Sequence, residues 1–267
     1  MDLLDRQVAV VTGAGRGIGR AVALHFAEAG AAVALAARTK HEIQGVAEEI
    51  KARGRRAIAV VTDVTCGSAI DALMAQTREQ LGPVDVLVNN AAVLGPAGKL
   101  WQTDLNDWET VFHVNLIGLV RCSMAVLPEM VERGHGKIIN VGSVAGWSDR
   151  WVSENHELAA YATTKAAVGH FSVCLAQQVK SDGINVNCVG VSAHTQLSEE
   201  ANQQVAAARG MPPPPTWADL PPEEHVQAEK NTPVFVFLAS SLSDHLTGQY
   251  LEANRMPARM SKDNRKG

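Results

Sequence analysis

Six short, almost uninterrupted apolar runs, separated by longer amphipathic stretches, constrain this chain more than any other feature. They fall at 8–11, 32–36, 57–61, 84–88, 137–141 and 184–189 and are rich in Val and Ile. Runs of this kind read as strands buried on both faces. The intervening segments have helical length and pattern, at about 17–29, 40–53, 67–81, 105–133 and 156–181. Such alternation predicts right-handed crossovers and a doubly wound parallel sheet with helices on both faces. No internal boundary interrupts the pattern, so residues 1–254 read as a single α/β domain.

Composition narrows the function. Of 267 residues, 46% are hydrophobic and 19% charged, which supplies a sizeable core and excludes disorder as the main state. The charge balance, 24 − 28 = −4, argues against a nucleic-acid partner. No stretch approaches the roughly 18 uninterrupted apolar residues of a membrane helix, and residues 1–6 carry no basic segment leading into an apolar one. Cys66, Cys122, Cys174 and Cys188 show neither metal-ligand nor redox-motif spacing. They read as reduced thiols, and the expected location is cytoplasmic.

Residues 192–230 break the rhythm. Six of the eleven prolines fall between Pro212 and Pro222, and proline neither joins a ladder nor continues a helix. The stretch reads as an irregular excursion, either a plain surface loop or a lid over a substrate pocket. Its position directly after the sixth strand favours the lid. From 255 to 267 the chain carries Arg255, Arg259, Lys262, Arg265 and Lys266 against Asp263, and reads as a solvated basic tail.

The first strand runs into Thr12-Gly13-Ala14-Gly15-Arg16-Gly17-Ile18-Gly19. Four glycines in seven residues cost backbone entropy, and close approach to a pyrophosphate explains the cost. The helix that follows offers unpaired N–H groups and a partial positive charge to the phosphates. An acid ending the second strand would accept bonds from the adenosine ribose of NAD. Here that strand ends Ala36-Ala37-Arg38-Thr39-Lys40. Arg38 suits a forked pair with a 2′-phosphate, and Arg16, inside the glycine turn, can approach the same phosphate, so the pattern predicts NADPH. Arg38 as a merely solvated strand end is the plainer alternative.

Tyr161 and Lys165 stand four apart in a predicted helix, one turn from each other on one face. A tyrosine ordinarily ionises near pH 10. A unit charge at about 4 Å in an effective dielectric near 20 is worth about 4 kcal/mol, enough to draw a phenol toward neutrality. A surface Tyr–Lys pair is the plainer reading. Ser143 follows the fifth strand, and Asn89, Asn90 and Ala91 end the fourth, at the strand edge where such sheets bind ligands. Asp63 follows the third strand. Asn115 sits inside a helix, where asparagine is a poor former.

Together these residues resemble the short-chain dehydrogenase/reductase family, strongly over about 5–190 and weakly over 231–252. The resemblance implies a single Rossmann-type domain of about seven strands, assembled as a homotetramer or homodimer. It implies a small carbonyl or alcohol substrate, with Tyr161 as the proton donor in carbonyl reduction and Ser143 orienting the substrate oxygen. Lys165 would lower the phenol pKa and bind the nicotinamide ribose, and Asn115 would hold a relay water through its backbone. Cofactor contacts would map onto Gly13, Arg16, Gly17, Ile18 and Gly19, onto Asp63 and Val64 at the adenine, and onto Asn89 and Ala91 near the ribose and strand end.

The chain departs from the family in four places, the mildest being Ala92, where the family prefers glycine. Seventeen residues separate Ser143 from Tyr161, more than the family norm. Val191-Ser192 replaces the family's Pro-Gly, which shifts Thr195, expected near the nicotinamide carboxamide, by one position. The glycine-rich end after the last strand is missing. The favoured reading is an NADPH-dependent oxidoreductase interconverting a ketone or aldehyde and an alcohol. An NAD-dependent alcohol dehydrogenase of the same family, a non-catalytic NADP-binding protein, and a dehydratase or epimerase are the rivals. Trp147, Trp151 and Trp217 read as either packing or pocket lining.

Overall fold

The computed structural model describes residues 2–216, 219 and 227–253. The six apolar runs form strands β1 (Val8–Thr12), β2 (Ala32–Ala37), β3 (Ala57–Val61), β4 (Val86–Asn89), β5 (Gly136–Ser143) and β6 (Ile184–Val191). A seventh, β7 (Tyr250–Glu252), pairs with β6. All neighbours run parallel, in the order β3-β2-β1-β4-β5-β6-β7. The order reverses between β1 and β4, and a doubly wound sheet binds its ligand at such a switch point.

Helices cover both faces. On one lie α1 (Gly17–Glu28), α2 (Lys40–Ala52) and α9 (Thr232–Ala239), which bury Val22, Phe26, Ile43, Ile50, Phe235 and Leu238 against the strands. On the other lie α3 (Gly67–Gln80), α5 (Gly118–Arg133) and α7 (Ala159–Gln178), contributing Ile70, Leu73, Val126, Met130 and Leu175. Phe26 and Phe235 are fully buried, and side chains of this size each contribute about 1.5–3 kcal/mol. A short α4 (Leu105–Phe112) joins α5 through one wide π-type turn, His113–Ile117, centred on Asn115. The continuous run Leu105–Arg133 has a mean hydropathy of 1.6 over its most apolar stretch, of which 39% is buried.

Two local readings differ from expectation. The long segment between Ser143 and Tyr161 contains a helix, α6 (Asp149–Glu154), whose N-cap is Ser148. The excursion after β6 is irregular only in part, because α8 occupies Gln196–Ala208. A capping box starts it: Ser198 N–H donates to Thr195 Oγ1 at 3.3 Å, and Thr195 N–H donates to Ser198 Oγ at 2.8 Å. The prolines begin at Pro212, beyond the helix, so nothing in 196–208 opposes it. The rest of the expected lid, at 217, 218 and 220–226, lies outside the described residues, as does the basic tail with Asn254.

Candidate active site

A cavity of about 620 Å³ opens at the strand C-terminal edge. Gly13, Arg16, Gly17, Ile18, Arg38, Asp63, Val64, Ala91, Ser143, Tyr161, Lys165 and Thr195 all line it. Gly19, Asn89 and Asn115 do not.

The glycine turn forms one end. Gly13 and Gly17 have φ of 63° and 56°, a left-handed backbone that favours glycine. Gly19 packs beneath the turn, where a Cβ would stand 2.2 Å from the Gly13 carbonyl oxygen. Its role is therefore to let α1 approach the turn, not to touch a ligand. Asn90 ties the turn to β4, its Nδ2 donating to the Thr12 carbonyl at 2.9 Å and to the Gly13 carbonyl at 3.1 Å. Across the mouth, the Arg16 guanidinium donates to Gln196 Oε1, joining the turn to the start of α8.

Beside the end of β2, Arg38 and Thr39 share the wall with Glu42, from the first turn of α2. The Glu42 carboxylate lies over Gly15, where a Cβ would stand 2.7 Å from Oε2. Glu42 escapes a sequence reading that seeks an acid only at the end of β2. Asp63 accepts from Thr65 N–H at 2.8 Å and Thr65 Oγ1 at 2.7 Å. These bonds hold its carboxyl below the usual range, with a smaller pull from Arg38.

The Asn89 side chain turns beneath the sheet edge, where Nδ2 donates to Asn140 Oδ1 at 2.9 Å and Ser123 Oγ at 3.2 Å. It braces β4 against β5 and α5, while Asn90 and Ala91 line the cavity. The Asn115 side chain is likewise structural: Nδ2 donates to the Val93 carbonyl at 2.9 Å and Thr164 Oγ1 at 3.1 Å, while Oδ1 accepts from Val93 N–H at 2.8 Å. It clamps the loop after β4 to the helix bearing Tyr161.

Tyr161 and Lys165 come from the first turns of α7 and face the cavity together. The Lys165 ammonium lies 5.6 Å from the centre of the Tyr161 ring and donates to the Val141 carbonyl at 2.8 Å. Burial holds this amine down to about 8. Burial also pushes the Tyr161 phenol up, and a hydrogen bond with Ser143 opposes that rise. The expected lowering of the phenol by Lys165 is thus not what governs it here. The ammonium is turned onto a backbone carbonyl, and the serine hydroxyl is the group against the phenol. Ser143 Oγ also accepts from Ala145 N–H at 3.2 Å, which fixes the turn after β5.

The altered turn after β6 is ordered by a residue the sequence did not single out. Buried Asn231 accepts from Ser192 N–H at 3.2 Å and donates to the Ser192 carbonyl at 3.0 Å. Val191, Ser192 and Thr195 consequently line the cavity. Of the tryptophans, Trp151 lines it, Trp147 packs edge-on against Tyr250 at 5.6 Å, and Trp217 lies outside the described residues.

A parallel seven-stranded sheet with a glycine turn at its switch point has the architecture of a dinucleotide-binding protein. The comparisons narrow this. The short chain dehydrogenase family model matches residues 7–206. The chain is 34% identical over 252 residues to the (2S)-[(R)-hydroxy(phenyl)methyl]succinyl-CoA dehydrogenase subunit BbsD of Thauera aromatica, covering 93% of this chain and 95% of that protein. It is 34% identical to a 3-oxoacyl-[acyl-carrier-protein] reductase of Synechocystis sp., covering 93% and 96%. Among solved structures, a 3-oxoacyl-[acyl-carrier protein] reductase with bound NAD from Brucella melitensis superposes with a TM-score of 0.78 at 29% identity, covering 94% of this chain and 90% of that one. The chain belongs to the short-chain dehydrogenase/reductase family of NAD(P)-binding oxidoreductases.

Proposed function

We propose that this protein is an NADPH-dependent oxidoreductase that interconverts a ketone or aldehyde and an alcohol. The observation that carries the reading is the Ser143 hydroxyl against the Tyr161 phenol, with the Lys165 ammonium behind the ring, in the wall of the cavity that starts at the glycine turn. NADPH, when bound, supplies the hydride for the carbonyl carbon. Ser143 donates to the substrate oxygen and orients it toward the phenol. Tyr161 gives its proton to that oxygen during reduction and removes it during oxidation. Lys165, behind the ring, presents its ammonium to a ribose hydroxyl. Asn115 keeps the Tyr161 helix in register with the loop after β4.

The residues fit the cofactor. The glycine turn leaves backbone room for a pyrophosphate, and Arg38 and Arg16 offer forked donors for a 2′-phosphate. Asp63 and Val64 flank the adenine position, and Thr195 stands beside the glycine turn. One observation favours NADH as a second reading: the Glu42 carboxylate over Gly15 suits ribose hydroxyls and opposes a phosphate. The two basic side chains outweigh it in the reading adopted. A cofactor-binding protein without turnover has no chemical need for Ser143, Tyr161 and Lys165 together.

We also propose that the α8 segment is part of a lid and that the protein is a homo-oligomer. Exposed Ile117, at the end of the π-type turn, and Met124 and Val131 of α5 recur every seven residues, an apolar stripe suited to a second copy. Met124→Glu should reduce the mass measured by light scattering. For the activity, NADPH oxidation is followed with a panel of ketones and aldehydes. Turnover supports the reading, whereas tight NADPH binding without turnover of any compound overturns it.

A further inference from the structure

One wall of the cavity runs from the Ser143 and Tyr161 hydroxyls to the glycine turn. β6 pairs with β5 so that Val191 stands opposite Ser143. At the other end Thr195 packs on the turn, where a Cβ at Gly17 would stand 3.4 Å from Thr195 Cγ2. Residues 191–195 span the interval and line the cavity throughout.

Ser192 is the first residue beyond the β6 ladder, so its N–H and C=O need partners outside the sheet. Asn231 supplies both, with Oδ1 accepting from Ser192 N–H at 3.2 Å and Nδ2 donating to the Ser192 carbonyl at 3.0 Å. A side-chain carboxamide carries the donor and the acceptor of a peptide group. The pair therefore copies the reciprocal bonds of two facing strand residues and continues β6 without another strand. Asn231 is the N-cap residue of α9, where an asparagine ordinarily bonds the first N–H groups of its own helix. It makes no such bond, and the side chain is directed to Ser192 instead. Asn231 is 2% exposed, its Nδ2 also reaches the Ala228 carbonyl at 3.4 Å, and the Val234, Phe235 and Leu238 side chains that follow are buried against the sheet. The clamp thus ties the cavity wall to the core.

We infer that Asn231 is a positioning residue for hydride transfer. By holding Ser192 it fixes the wall on which a nicotinamide rests while Ser143 and Tyr161 hold the carbonyl. The inference rests on the carbonyl-reductase reading above. Reacting atoms must approach to about 3–3.5 Å, and a misplacement of about 1 Å lowers the rate up to about 100-fold. A Ser192 backbone released from the clamp gives the wall that freedom.

Hydrogen exchange followed by mass spectrometry tests the clamp without turnover. Asn231→Ala should speed exchange at Ser192 by about tenfold and leave β5 unchanged. In the parent, NADP should slow exchange across 191–195 more than 2′-phospho-ADP-ribose, the same molecule without its nicotinamide. In Asn231→Ala that extra protection should vanish. Equal protection by the two ligands in the parent, or none by either, overturns the inference. Single-turnover oxidation of bound NADPH by a reactive carbonyl from the panel gives a rate constant that does not depend on how much of the protein is folded. Asn231→Ala should lower it about tenfold and leave the KM for NADPH within about twofold. Asn231→Asp keeps the shape and the bond from Ser192 N–H but deletes the donor to the carbonyl. Its rate constant should fall between the other two, and it carries the test if the alanine variant does not fold. An unchanged rate constant in both variants overturns the inference, as does a raised KM at constant rate. Nicotinamide-specific protection that needs Asn231, without turnover of any carbonyl, supports the fixed wall and counts against the reductase.

Discussion

The phenol of Tyr250 donates a 2.9 Å hydrogen bond to the backbone carbonyl of Ser143. The ring reaches it from β7 because β5 and β6 leave a slot. A Cβ at Gly142 or Gly190 would stand 3.0 or 2.8 Å from the Tyr250 hydroxyl. Trp147 closes the outer side of the ring. The bond holds the residue whose hydroxyl meets Tyr161. Tyr250→Phe removes it at a cost of about 1 kcal/mol, which corresponds to about a fivefold fall in kcat. The KM for NADPH should not change. A weaker Ser143–Tyr161 bond also leaves the phenol less acidic, so the pH profile of alcohol oxidation should move upward. A loss of stability alone would leave that profile in place.

Tyr161→Phe keeps the ring and its packing but deletes the proton. Turnover should fall by about a thousandfold while NADPH affinity, read by fluorescence titration, stays within a few-fold of the parent. Retention of most activity would remove Tyr161 as the acid.

On the proposed NADPH reading, cofactor choice depends on the opposed charges of Arg38 and Glu42 in the cavity wall. Arg38→Asp should weaken NADPH binding by about thirtyfold, roughly 2 kcal/mol, and leave NADH nearly unaffected. Glu42→Gln should act in the other direction, strengthening NADPH binding by a few-fold. An unchanged preference in both variants would place the 2′-phosphate elsewhere.

Burial lowers the Lys165 amine to about 8 from an ordinary 10.5. Between these values the unfolded chain holds more protons than the folded one, so this residue makes stability rise with pH. At neutral pH its buried charge is a net cost. Lys165→Met should therefore melt higher than the parent at pH 7, and the gap should shrink as pH climbs past about 8. A gap that is constant with pH would mean the amine is not desolvated.

The Glu157–Arg209 fork clasps the end of α8 to the segment just before the Tyr161 helix. Arg209 holds the Glu157 carboxyl below its ordinary value. The pair's contribution is thus present above that value and fades as acid titrates the carboxylate. Arg209→Met should speed proteolysis within 196–216 and raise the substrate KM, with little change in global melting. Equal protease resistance would show that α8 does not depend on the clasp.

Much of the architecture was legible because both signals are local. Val- and Ile-rich runs between amphipathic stretches determine a parallel sheet, and glycines at 13, 15, 17 and 19 between the first strand and first helix determine the phosphate turn. The Tyr161–Lys165 spacing places both side chains on one helical face. Irregular segments were harder. Proline density predicted a loop after β6, but Thr195 and Ser198 cap a helix there before the first proline arrives.

The amino-acid order by itself determined the sheet, the glycine turn and the residue types gathered at the strand ends, since each follows from periodicity or backbone sterics within a few neighbours. Only the tertiary structure decided which asparagine faces the cavity, that Glu42 lies over Gly15, that Ser143 rather than Lys165 meets the phenol, and that Tyr250 supports Ser143 across 107 positions of chain. Those outcomes depend on burial and on close contacts between residues distant in sequence, which no local pattern encodes.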